Sequence, residues 1–161
     1  MEKKDIHFSI EVYDSDKELT ETDAGLLLAA RETTALAYAP YSNFLVGAVA
    51  LLANGKKVTG TNQENASYPV GICAERVLLS AASSLYPNVP IDSIAISYNN
   101  LNGDSGHPVT PCGICRQSLA EYEERVKQPM RLIMSGKKGA VHILEKASQL
   151  LPLSFTPEDL K

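Results

Sequence analysis

What this chain lacks already narrows it. It carries three cysteines, an odd and small number that gives no disulfide framework. It has no excess of basic residues: 15 Lys and Arg face 19 Asp and Glu, for a formal net charge of -4. That balance argues against a protein that works by gripping phosphate backbones, which shows a basic stripe. No apolar run approaches the ~20 residues a membrane-spanning helix needs. The charged start, "MEKKDIHFSIEVYDSDKELTE", has no apolar core of a signal peptide, so we expect a cytoplasmic location and no membrane partner. In that compartment thiols stay reduced, which leaves buried thiols, a reactive thiol or a metal as their uses. There is no internal repeat, low-complexity tract or long linker.

What is present fits one globular domain. The length is 161 residues with 44% hydrophobic content, enough to bury a core unaided. Residues 1–20 read as a polar N-terminal extension with a short strand at "HFSIEVY", and residues 21–161 as a single domain. A helix is expected over Glu21–Ala39, with Leu26, Leu27, Ala30, Ala37 and Tyr38 on its apolar face. Pro40 ends it. "FLVGAVALLA", then Asn54-Gly55, then "KKVTGTN", read as an antiparallel hairpin. A helix starting near Cys73 places Ala74, Val77, Leu78, Ala81 and Ala82 on one face. "IDSIAISY" is a strand whose weak alternation disfavours an edge position. A Gly/Asn/Pro/Ser-rich loop covers residues 99–111, a helix runs from Pro111–Cys112 to about Glu124, and "MRLIMS" is a strand. "HILEKASQLL" reads as a last helix or helical turn, and each "GKK" as a solvated turn. The sum is an α/β fold, a sheet with helices on its faces.

Cys112 and Cys115 form a C-x-x-C pair in "PCGICRQ". Alone it suits redox chemistry, metal binding or two buried thiols. A third thiol, Cys73, lies at another expected helix start. Helix N-termini favour thiolates, so two converging starts would gather three of them. Three thiolates make an incomplete tetrahedral zinc site. A structural site fills the fourth corner with protein, and a catalytic site leaves it for water. His7, His107 and His142 lack ligand spacing, although a Cys3His site stays open here.

Glu75 follows Cys73 by two residues. On a regular helix these point apart, so both can face one metal only if Cys73 sits at the helix boundary. As an isolated acid at a helix start Glu75 complements the helix dipole; beside a zinc-bound water it becomes a general base. Arg76, and equally Arg116, would be a surface cation or a donor to thiolate sulfur, offsetting the -1 formal charge of Zn²⁺ with three thiolates.

"CAER" followed by "PCGICRQ" resembles the zinc-dependent nucleoside deaminases, whose signature places a ligand two residues before a Glu, then P-C-x-x-C. "YAPYSNFLVGAVALLANGKKVTGTNQENASYPVGICAERVLL" is similar to cytidine deaminases of the small homotetrameric type, and "QLLPLSFTPEDL" looks like their C-terminus. The resemblance implies a three-layer α/β/α sandwich with a mixed sheet. It implies one Zn²⁺ per subunit on Cys73, Cys112 and Cys115, with Glu75 as proton shuttle. Asn62 and Glu64 would bind the ribose 3′-hydroxyl, Phe44 would line the base pocket, and backbone groups near Ala74 and Pro111 would hold the base edge. Ala66, Tyr68 and Phe155 would reach a neighbouring subunit's substrate. Departures are Thr110 for a common serine, Ile114 for a common alanine, and the stretch Pro69–Gly71. The reaction implied is hydrolysis of cytidine, 2′-deoxycytidine or both to the uracil nucleoside and ammonia, in pyrimidine salvage. Alternatives are a deaminase of a blasticidin-type drug nucleoside, one acting on nucleic acid, and a non-catalytic zinc-stabilised binding module.

Overall fold

A computed structural model describes all residues, 1–161. Six strands form one mixed sheet: β1 (Glu11–Tyr13), β2 (Phe44–Leu52), β3 (Lys57–Thr61), β4 (Ile91–Asn100), β5 (Arg131–Ser135) and β6 (Val141–Leu144). Their order across the sheet is β1-β6-β5-β4-β2-β3. Only β4 and β5 run parallel; every other pair is antiparallel. The helices are α1 (Glu21–Thr33), α2 (Ala74–Leu85) and α3 (Gly113–Val126). None of them is long and apolar enough to cross a membrane.

Strand alternation sends side chains to two separate cores. Ala48, Ala50, Leu52, Ile94, Ile96, Leu132 and Met134 point to one face, where Leu78, Leu79 and Ala82 of α2 and Leu119 and Tyr122 of α3 meet them. Val49, Ala95, Ile133, Val141 and Ile143 point to the other, under Leu26, Leu27 and Ala30 of α1. The three-layer sandwich is therefore realised, with α1 alone on one side. β4 is central and almost wholly buried, which is why its sequence alternates so weakly.

Two elements differ from the sequence expectation, and a third meets it with a loop one residue longer than the Asn-Gly pair itself. First, α1 stops at Thr33 and passes into a 3-10 turn over Thr34–Leu36, well before Pro40. Thr33 Oγ1 donates to the Ala29 carbonyl and Thr34 Oγ1 to the Arg31 carbonyl, drawing acceptors away from the helix ladder. Ala37 and Tyr38 are off the helix, and Tyr38 instead bridges Gln63. Second, His142 begins no helix. It lies in β6, paired with Val12 of β1, and only Ala147–Leu150 make a helical turn. The alternating Val141-His142-Ile143-Leu144 run is long enough for a hairpin strand and too short for a helix. Third, Asn54-Gly55 does reverse the chain, but within a three-residue loop closed by the Leu52 amide donating to the Lys56 carbonyl, with Gly55 at φ 78°.

Candidate active site

Each of the two helix starts is capped by a cysteine. Cys73 precedes α2 and Cys112 precedes α3, both with extended backbone entering the helix. Two local devices bring them there. Gln63 and Ile72 exchange backbone hydrogen bonds of 2.9 and 3.0 Å, pinching off the loop between them and returning the chain from β3 to α2. Across the site, Arg116 donates to the Pro111 carbonyl (2.8 Å), Thr110 Oγ1 (3.0 Å) and the Leu150 carbonyl (3.1 Å), holding the entry to α3.

Cys112 and Cys115 are three apart, so they share a helix face, with Sγ atoms 3.5 Å apart. Cys73 Sγ lies 3.7 Å from Cys112 Sγ, and all three sulfurs fall within 4.8 Å of one another. Ligands at ~2.3 Å on a tetrahedral zinc sit about 3.8 Å apart, so the cluster has the span of a three-thiolate zinc corner. A hydrogen bond from Cys115 draws the Cys73 thiol down to about 6, and the same interaction pushes Cys115 up. No histidine joins the cluster. His107 instead lies 3.3 Å from the Tyr98 hydroxyl.

Glu75 is the second residue of α2 and is 6% exposed. Burial pushes its pKa above the usual carboxylate range. It faces a cavity of about 230 Å³ together with Cys73, Cys112, Ala74, Asn62 and Phe44. Phe44 is more than core filling: one face stacks on buried Tyr98 at 4.8 Å and 12°, and the residue also lines the cavity. Val46, Ile96, Val109 and Thr110 complete the wall. Sequence reading did not single these out as lining, because apolar strand residues look alike whichever side of the sheet they fill.

Asn62 and Glu64 are each held by two backbone contacts that leave one Asn62 Nδ2 hydrogen and Glu64 Oε1 unused. Asn62 Nδ2 donates to the Phe44 carbonyl and its Oδ1 accepts from the Val46 amide, both at 2.8 Å, so it clamps the first turn of β2. Glu64 accepts from the Tyr41 amide at 2.8 Å and the Ser42 amide at 3.3 Å. Hydrogen bonds from Ser42 and Tyr41 hold its carboxyl below the usual range. It lines a second cavity of about 320 Å³ with Tyr41, Ser42 and Tyr68. Ala66, Tyr68 and Phe155 are exposed and do not line the cavity at Glu75. The Phe155 carbonyl accepts from Gln117 Nε2 at 2.8 Å. Arg76 lines a groove between α2 and α3 with Ser80, Ser118 and Arg125. Arg116, occupied by three carbonyl and hydroxyl oxygens, is not a donor to sulfur.

Comparison with known proteins gives a consistent result. The sequence model of the cytidine and deoxycytidylate deaminase zinc-binding region matches residues 20–128. A cytidine deaminase of Halalkalibacterium halodurans is 39% identical over 124 residues, 77% of this chain and 86% of that one. A cytidine deaminase of Sporosarcina psychrophila is 35% identical, over 84% of this chain and 92% of its own length. Among solved structures, the cytidine deaminase of Burkholderia pseudomallei superposes with a TM-score of 0.71 at 35% identity, covering 85% of this chain and all of that one.

Proposed function

The chain belongs to the cytidine and deoxycytidylate deaminase family, and from that premise we propose that the cavity at Glu75 hydrolyses cytidine, and 2′-deoxycytidine, to the uracil nucleoside and ammonia. One observation carries the reading. Three sulfurs have the spacing of a zinc corner, and two of them, Cys73 and Cys112, share with buried Glu75 a cavity of about 230 Å³, the size of a nucleobase rather than of a strand.

Cys73, Cys112 and Cys115 hold the zinc, three protein ligands from two helix starts. Zinc in such a site supplies Lewis acidity and makes water acidic enough to react at neutral pH. Glu75 does the proton work. Its carboxylate takes a proton from the attacking water and passes it to ring N3, which makes C4 more electrophilic. Once the C4–O bond has formed, the same carboxylate takes the second proton from the new C4 hydroxyl, which becomes the carbonyl, and delivers it to the exocyclic amine. The C4–N bond then breaks and ammonia leaves. Burial suits Glu75 to both duties, because a raised pKa brings acid and base forms closer in energy near neutrality.

Phe44, backed by Tyr98, offers a flat apolar wall to the base. Asn62 and Glu64 bind the ribose hydroxyl, through the second Nδ2 hydrogen of Asn62 and Oε1 of Glu64, while their bonds to backbone stay in place. Backbone groups near Ala74 and Pro111 hold the base edge, and Arg76 lies behind Cys73 to temper the thiolate charge. Ala66, Tyr68 and Phe155, exposed on one chain, serve the substrate of a neighbour in a homotetramer. A soluble nucleoside enzyme of this kind belongs to pyrimidine salvage in the cytoplasm, and the domain proper spans residues 21–161. Loss of cytidine absorbance with the native enzyme, abolished by a chelator and restored by zinc, tests the assignment. Turnover of a single-stranded oligonucleotide in place of free cytidine would favour the nucleic-acid reading, and a metal-loaded but inert protein the binding-module reading.

A further inference from the structure

The N-terminal extension ends in an edge strand with one unpaired side. β1 closes the sheet by pairing Glu11–Tyr13 with β6, and its outer edge meets nothing. Tyr13 packs into the core beneath α1, so Val12 points to the opposite face, beyond the reach of α2 and α3. The apolar residues upstream repeat with period two: Ile6, Phe8, Ile10 and Val12 are 58, 47, 44 and 59% exposed. The family match begins only at residue 20, so this stripe belongs to no part of the shared domain. Natural edge strands are usually blunted by proline, a bulge or inward charge. The first proline here is Pro40.

The sequence itself says what would cover it. In an antiparallel self-pairing about a two-fold axis through Ser9, Ile6 faces Val12 and Phe8 faces Ile10. The same register sets Lys4 against Asp14 and His7 against Glu11. Moving the axis to Phe8 puts Asp5 against Glu11 and Val12 against Lys4; moving it to His7 or Ile10 leaves apolar residues facing charges. Moving it between residues turns the apolar face of one strand to the polar face of the other. One register alone matches all four apolar residues and sets Lys4 against the unlike charge of Asp14, and cross-strand pairs of both kinds are stabilising.

We propose that residues 6–12 are an assembly arm, pairing antiparallel with the same residues of a second copy of this chain about a two-fold axis at Ser9. Such an isologous contact extends the sheet from one copy into the next and removes both free edges. It stands apart from the zinc site and from the surface that carries Tyr68, and adjoins the segment up to Ser154 that precedes Phe155.

Cysteine cross-linking of the full, zinc-loaded chain tests the register. Under mild oxidation Ser9→Cys should give a covalent dimer, since directly opposed Cβ atoms lie about 4.5–5.5 Å apart. His7→Cys and Glu11→Cys, each about 13 Å from its own mate in this register, should not link above the unmodified protein. Phe8→Lys, which leaves the site untouched and deamination intact, should raise the concentration at which the assembly dissociates in sedimentation by at least about tenfold. The proposal is overturned if Ser9→Cys links no better than His7→Cys, or if Phe8→Lys dissociates at the unmodified concentration. A link within one chain between Ser9→Cys and Leu153→Cys would also overturn it. Leu153 and Ile6 line one cavity, and that result would make the arm a cover for its own C-terminal segment.

Discussion

Gly60 in β3 lies against the first turn of α2, with the Ala74 carbonyl directly over its α-carbon. A side-chain carbon at Gly60 would sit 2.5 Å from the Leu78 amide nitrogen and closer still to the Ala74 oxygen. Ala74 separates Cys73 from Glu75, so this close approach sets the depth of both functional groups. Gly60→Ala should destabilise the fold by about 1–3 kcal/mol, the usual cost of overpacking. It should also weaken zinc retention, because the shift falls on the helix start. Urea unfolding and a zinc-competition titration measure the two effects separately.

Glu75→Gln keeps the shape of the side chain and removes its ability to carry a proton. The variant should hold zinc at the native stoichiometry while kcat falls by about 10²–10⁴, the usual contribution of a positioned acid–base group. Steady-state turnover of cytidine beside metal analysis checks both halves. Near-native turnover in a zinc-loaded variant would remove Glu75 from the mechanism.

Removal of the metal should loosen the molecule as well as silence it. Cys73 and Cys112 begin two helices 39 residues apart in sequence, and an ion held by both would tie those starts together. Chelation should abolish deamination and lower the melting temperature by at least about 5 °C, since any ligand specific to the folded state stabilises it. Added zinc should reverse both. Cys115→Ala should behave as the chelated protein whatever the zinc concentration.

The Glu64 carboxyl has a pKa below its ordinary value because Ser42 and the Tyr41 amide hydrogen-bond it. A depressed acid favours the folded arrangement above its unfolded pKa and loses that advantage as pH falls through the folded value. KM for cytidine should therefore not change through Glu64 between pH 7 and about 5, rising only below the ordinary carboxylate range near pH ~4.3. Glu64→Gln should raise KM at every pH. A KM profile that bends near pH 6 in the native enzyme and flattens in Glu64→Gln would contradict this.

The metal corner was legible in the sequence because its chemistry is local: a C-x-x-C at one helix start and a C-x-E at another. The hairpin at Gly55 and the central place of β4 were legible from turn chemistry and patterning. What escaped depends on distant partners. Asn62 looked like a free polar side chain and proves to be stapled to the backbone of β2. Arg116 looked like a partner for sulfur and is spent on the entry to α3. Glu123 reads as one more acid on an exposed helix, yet it is buried and accepts from the Met130, Ala147 and Ser148 amides, capping a turn 24 residues away. His142 was misplaced because four residues of β6 are too few to declare a period without the neighbouring strand. In each case the missing information is which backbone passes nearby.

Gly136, just past β5, supports the loop that leads into Cys112. Its carbonyl accepts from Ser97 Oγ and Arg31 Nε, both at 3.1 Å, and its bare α-carbon lets the Ser105 carbonyl press against it. A chain still emerging from the ribosome, with residue 136 not yet made, holds all three cysteines but has nothing to seat that loop. The approach to Cys112 is thus seated by backbone that comes after the last cysteine in sequence, so the ion's corner takes its shape only once strands far apart in the chain have met.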